Sequence, residues 1–285
     1  MHKYLRAIGL SNLKNNLDVI HWINDVVDDA LKNNRIITAD ITDVCEIRID
    51  YSKLFGLAVR GIMDNGKFIV DYYFPYYKGS HYAKLRPFEI EKYTYNESYA
   101  GACENLANGI SVVFYVNNPI SFLDKYNENM FVKFSAMSVS GKIIMPLKKS
   151  KRQMNISKAL SKKRSILINE VKNGDDDAMD ELVNDDMFMY SKMAKRFANE
   201  DILSVVDTVF MPYGMECDLY SIVGDIISMS EVTNNVTGEI VYNMDIESNG
   251  IEYNLGINKE DLLGIPEVGR RFKGEIWLQG TVDFI

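Results

Sequence analysis

Hydrophobic periodicity changes along the chain and divides it into three parts. Residues 1–150 mix both periods. His2 to Gly9 is predicted as a strand, and Ser11 as the N-cap of a helix over NLKNNLDVIHWINDVVDDALK. Leu13, Leu17, Ile20, Ile23, Val27 and Leu31 recur at helical spacing on one face, and Trp22 falls away from it. VCEIRID, FGLAVRGIM and KFIVDYYF then alternate as an antiparallel meander, the last two joined by Asn65 and Gly66, which suit a tight hairpin turn. EIEKYTY and GISVVFYV are further strands, ISFLDKYN a short helix, and Ser140 with Gly141 is expected to turn NMFVKFSAMSV back into KIIMPL. Residues 151–212 read as helical. There Gly174 ends one helix, Asp175 starts the next, and Asn184 or Asp185 caps DMFMYSKMAKRFA.

Over 213–285 the period returns to two. ECDLYSIVGDIISMSEV is a long apolar strand with Gly224 midway, where a bend lets one strand serve two sheet edges. NNVTG leads to EIVYNMDIES, Asn249 and Gly250 make a two-residue loop into IEYNLGIN, and KEDLL is a short helix ending at Gly264. In the closing strand Phe272, Gly274, Ile276, Leu278, Gly280, Val282 and Phe284 share one face. Trp277 is predicted on the other, beside Glu275 and Gln279. Strand, strand, strand, helix, strand resembles the order of an oligonucleotide/oligosaccharide-binding (OB) barrel, with four clear strands where that fold has five. The expected fold class is α+β: an α+β domain with an antiparallel sheet, a helical middle segment and an OB-like small β-barrel.

Charge follows the same divisions. The 285 residues carry a net charge of −8. Residues 1–147 balance to zero, 148–164 hold eight Lys or Arg and no acid, 165–212 sum to −7 and 213–285 to −9. The opening residues lack the apolar run of a signal peptide, and no stretch is long and apolar enough for a membrane span. The expectation is a cytoplasmic protein with no membrane association. Cys45, Cys103 and Cys217 read as reduced thiols, neither a disulfide framework nor a metal knuckle.

YLRAIGLSNL, SYAGACENL, ISVVFYVNN, VKNGDDDA, VFMPYGMECDLY and LLGIPEVGRRFKGEIWLQG together resemble a bacterial family known only as a domain of unknown function. The likeness runs nearly the full length. It implies that the three parts are one evolutionary unit, and it implies no catalytic residues.

Chemistry is sparse. No His-Glu-x-x-His, phosphate-cradling Gly-x-x-x-x-Gly-Lys or dinucleotide Gly-x-Gly-x-x-Gly occurs, so no cofactor or metal is expected. Asp175, Asp176, Asp177, Asp180 and Glu181 are placed in a first helical turn, where acids favour the helix dipole. DYYFPYYKGSHY sets Tyr76, Tyr77, Lys78 and His81 among aromatics, a weak ligand site weighed against a strand with aromatics in two cores. Trp22 and Trp277 mark contact surfaces, either with a partner or between parts of the chain. The reading is a non-catalytic binding protein whose partner is another protein. A second reading gives nucleic acid to the basic stretch, Lys148, Lys149, Lys151, Arg152, Lys158, Lys162, Lys163 and Arg164. The outward side of the barrel strands, with Asn243, Asp245, Glu247, Glu252, Asn254 and Asn258, carries no base and is unsuited to phosphates. A third reading is an enzyme around Cys103 and His81.

Overall fold

A tight turn at Asn65 and Gly66, with φ of 48° and 78°, closes the hairpin that organises the first of two sheets. The computed structural model describes residues 2–33, 35–38, 43–83, 88–92, 98–105, 110–120, 130–147, 163–164, 166–168, 170–171, 173–197 and 208–284. Strands β1 (Ile36–Thr38), β2 (Val44–Asp50), β3 (Phe55–Asp64) and β4 (Lys67–Tyr77) pair antiparallel in chain order. Helix α1 (Asn16–Lys32) precedes them.

The chain start departs from its predicted form. Lys3–Ile8 is a 3₁₀ turn, not a strand, and Gly9 ends it at φ 78°. Tyr4 and Leu5, like Ala7 and Ile8, are buried as adjacent pairs, which a strand would send to opposite faces. The N-cap of α1 is Asn15, whose side chain accepts from the Asp18 amide at 2.9 Å. Ser11 instead donates its hydroxyl to Glu239 at 2.8 Å. The buried face of α1 is Val19, Ile23, Val26, Val27 and Ala30, so Leu17 and Ile20 of the expected face are exposed.

The larger sheet is mixed. It comprises β5 (Phe88–Lys92), β6 (Tyr99–Asn105), β7 (Ile110–Val116), β8 (Met130–Ser138), β9 (Gly141–Ile144), β10 (Val209–Pro212), β11 (Leu219–Thr233), β12 (Ile240–Ser248), β13 (Ile251–Asn258), β14 (Leu262–Leu263) and β15 (Arg271–Phe284). Within it five pairings close on themselves: β11 with β12, β12 with β13, β13 with β8, β8 with β15, and β15 with β11. Only β13 with β8 is parallel in this circuit. β11 changes partners along its length, pairing β15 over Leu219–Asp225 and β12 from Asp225 to Thr233, with a register shift between Ile226 and Ser228. Gly224 lies at that hand-over, where a Cβ would stand 2.4 Å from Ile246 Cγ2.

Two further expectations change. Ser140 and Gly141 make no hairpin: β8 and β9 both run antiparallel to β15, along successive stretches of the same strand, so the pair is a break in one long strand. Nor does Asn184 or Asp185 start a helix, because α2 (Asp176–Phe197) runs through both. Its N-terminus is capped by Asp175, which accepts from the Ala178 amide at 3.1 Å, after Gly174 at φ 88°. The boundary placed at residue 150 is crossed by the larger sheet, which joins β5–β9 to β10–β15.

Two large apolar cores form among the described residues. The first fills the circuit with Phe114, Val132, Phe134, Ala136, Ile222, Met244, Ile246, Leu255, Ile257, Phe272, Ile276, Leu278 and Val282. The second gathers the 3₁₀ turn, α1 and β2–β4 with Tyr115, Met137, Leu219, Val241 and Trp277. It therefore lies between the small sheet and the outward side of the circuit. On the side of β15 that reads as polar, Trp277 and Gln279 are buried here, while Glu275 stays exposed.

Candidate functional site

The end of β4 stays paired with β3 as far as Tyr77, opposite Phe55, while its free edge lies across the outward side of the circuit. Gln279 on β15 receives it as a strand partner would: its amide donates to the Pro75 carbonyl at 2.9 Å and accepts from the Tyr77 N–H at 3.0 Å. The Tyr77 carbonyl accepts from Asn117 at 3.1 Å and from the Ser135 hydroxyl at 2.7 Å. Beyond it, the Ser80 N–H and hydroxyl reach Asn254 Oδ1 at 2.7 and 2.9 Å, and the Ala83 N–H reaches the Val132 carbonyl at 2.8 Å. Residues 76–83 thus form a strap over β8, β13 and β15.

Small residues set how closely the strap lies. A Cβ on Gly256 would meet Tyr77 Cε2 at 2.2 Å, and one on Gly79 would meet the Phe134 carbonyl oxygen at 2.5 Å. Tyr77 is fully buried, stacked on Phe55, and donates its hydroxyl to Asn243 at 3.0 Å. Burial, then the charge of Asp245, pushes its ionisation well above the ordinary tyrosine range. Tyr76 donates to Asp50 at 2.6 Å, and the Lys78 ammonium lies 2.7 Å from the same carboxylate. Burial works against the Asp50 charge, but hydrogen bonds from Lys78 and Tyr76 outweigh it and hold the carboxyl below its usual value.

His81 is half-exposed, with Nε2 3.4 Å from Asp245. Asp245 also accepts from Asn254 and from the Ser228 hydroxyl, the latter at 2.5 Å. Next to it, the Lys133 ammonium sits 4.5 Å over the ring of Tyr82, which meets Phe131 edge-on. The arrangement is a hydrogen-bonding surface. Cys103 belongs elsewhere: it is buried on β6, its thiol 3.8 Å from the Val112 carbonyl, and burial pushes its pKa up to about 12. A nucleophilic thiol requires the opposite shift.

The two tryptophans occupy internal positions. Trp277 is 4% exposed, donates to Asp218 at 2.9 Å, and is ringed by His2, Tyr4 and Tyr115 at centroid distances of 4.7, 5.2 and 5.1 Å. Burial raises the Asp218 carboxyl above its ordinary value, with the Trp277 bond working against the rise. Trp22 is half-buried and donates to the Tyr51 hydroxyl at 2.9 Å. Of the basic stretch, Lys163 and Arg164 are described; Lys148, Lys149, Lys151, Arg152, Lys158 and Lys162 lie outside the described residues. Lys163 pairs at 2.8 Å with both Glu181 and Asp185 of α2.

A buried charge cluster joins the two sheets and carries no motif in the sequence. Arg60, fully buried, donates to Glu46 at 2.7 Å and to the Tyr115 hydroxyl at 3.3 Å, and lies 4.5 Å over Phe74. Arg48 holds the other oxygen of Glu46 at 2.5 Å. The only local signal is period: Glu46 and Arg48 alternate with Cys45 and Ile47, which reads as an ordinary half-exposed strand.

No helix among the described residues is long and apolar enough to cross a membrane. Searches of curated proteins and of solved structures returned no match. A family model does match residues 5–280, nearly the whole chain and a span that takes in the strap and strands of both sheets: the chain belongs to the family described as domain of unknown function, E. rectale gene description (DUF3881).

Proposed function

We propose that the circuit is an OB-like barrel completed by β8 as its fifth strand, and that the protein is a non-catalytic cytoplasmic binding protein whose partner is another protein. The short turn Lys259–Asp261 between β13 and the strands that follow, and closure of β15 on β11, support the barrel. In such barrels ligands bind the outward side of the second and third strands. Here that side is used internally: Asn254 by Ser80, Gly256 by Tyr77, and Asn258 by Glu239 and the Arg6 carbonyl.

The observation that carries the protein-partner reading is the rim beside β9 and β14. Met145, Leu263, Ile265 and Val268 are each 65% or more exposed, an apolar group of the kind partners cover. The test is affinity capture from nuclease-treated lysate with the wild-type chain and with Leu263→Ser/Ile265→Ser. A protein retained by the first and lost by the second supports the reading. A partner that vanishes on nuclease treatment overturns it in favour of nucleic acid.

A further inference from the structure

β4 is the terminal strand of the small sheet, and among the described residues it pairs only with β3. Its second half is taken by Gln279, Asn117 and Ser135; its first half is an open edge. The two-residue Asn65–Gly66 loop decides which backbone groups face that edge. Asp64 with Lys67 is the closing pair and exchanges both hydrogen bonds, as does Ile62 with Ile69. The N–H and C=O of Phe68 and Val70 therefore point outward.

The side chains along this edge complement themselves. Lys67, Ile69 and Asp71 are exposed, and Phe68 and Val70 between them are half-buried. Read from either end, the segment is charge, apolar, apolar, apolar, opposite charge. Set antiparallel to a second copy with Ile69 on the two-fold axis, Lys67 faces the partner's Asp71, Phe68 exchanges backbone bonds with the partner's Val70, and Ile69 meets the partner's Ile69. The backbone groups that point outward are the ones this register needs.

We propose that two copies of the chain pair through their β4 edges, about a two-fold axis at Ile69. A lysine and a bulge are the usual guards of an exposed edge, and β4 has both: the register shift opposite Arg60 and Gly61 leaves Asp71 as the additional residue. They exclude strands of arbitrary sequence. In the self-paired register the lysine is answered by an acid, which selects a second copy over other extended segments. Ile62, Met63 and Ile69 are 45%, 41% and 48% exposed beside the edge, and pairing covers them. The inference is independent of the barrel reading.

Sedimentation over a dilution series of the full chain tests it. The wild type is expected as a dimer at micromolar concentration. Lys67→Asp and Asp71→Lys should each weaken it about tenfold or more, since the axis counts each change twice, and the double swap should restore it. Amide exchange gives a second readout, with Phe68 and Val70 protected in concentrated solution and open on dilution. A wild-type monomer, single variants without effect, or a swap that fails to restore the dimer in folded protein would each overturn the proposal.

Discussion

Adding one methyl group at Gly256 should reveal whether the strap is a fixed part of the fold. The glycine needs no positive φ, so alanine is compatible with its backbone, and the whole effect comes from the Cβ standing 2.2 Å from Tyr77 Cε2 and 2.7 Å from Cδ2. Ordinary contact begins near 3.4 Å, so the ring would have to move by more than ~1 Å. It is poorly placed to do so, buried, stacked on Phe55 at 5.8 Å and tied to Asn243 at 3.0 Å. Gly256→Ala should then cost about 1–3 kcal/mol by overpacking. Tyr77→Ala alone should cost about 3–5 kcal/mol, the range for emptying a large aromatic site. In that background the clash is gone, and the alanine should be neutral or stabilising by about 0.4–1 kcal/mol through the unfolded chain. Urea unfolding of the wild type, both single variants and the double, at constant slope, measures the coupling as about 1–4 kcal/mol. Equal losses from Gly256→Ala with and without Tyr77 would show that the ring does not lie on the glycine, and would refute the strap.

Two other perturbations address the second core. Glu46→Gln should cost about 3–5 kcal/mol because it strands the buried Arg60, whereas Arg60→Met should cost less, since Arg48 still holds Glu46; equal losses in urea unfolding would contradict this asymmetry. His2, packed on Trp277, has its pKa pulled from 6.5 down to about 4, by burial first and then by neighbouring positive charge including Lys3. The unfolded chain therefore takes up a proton near 6.5 that the folded chain refuses until about 4, so stability should fall by about 3 kcal/mol as pH drops through that window. His2→Phe should flatten this slope, and an unchanged slope would exclude His2 as its source.

Features set by near neighbours were legible in the sequence. Asn65–Gly66 and Asn249–Gly250 declared their hairpins because only residues tolerant of positive φ fit there. The alternation of β15 fixed its faces, and Phe272, Ile276, Leu278 and Val282 do fill the first core. The strand that completes the circuit was not legible. β8 pairs β13 in parallel, Asn254 beside Ser135, and nothing within either segment encodes a partner more than a hundred positions away. The same distance hid the answer to the polar side of β15. Gln279 reads as a solvent-facing residue until Pro75 and Tyr77, some 200 positions earlier, supply the donor and acceptor that make its burial tolerable.

The aromatic run at Tyr76–Tyr82 shows why composition alone does not assign such a segment. A run of rings with a lysine and a histidine has the groups needed to stack on a base or sugar, and the same groups needed to hold a chain onto its own sheet. The small residues opposite separate the two. A ligand surface is left accessible, whereas Gly256 has given up its side chain to admit Tyr77, and Gly79 has given up its own to approach β8. Each glycine is unremarkable where it stands in the sequence. Only their meeting across the circuit shows that the outward face is covered by a strap held by Gln279, Asn117, Ser135 and Asn254, which a partner proposed for that face would have to displace. Displacing it would leave those four polar groups to be satisfied by the newcomer, which makes the exposed apolar side chains of Leu263 and Ile265 the less costly surface to cover.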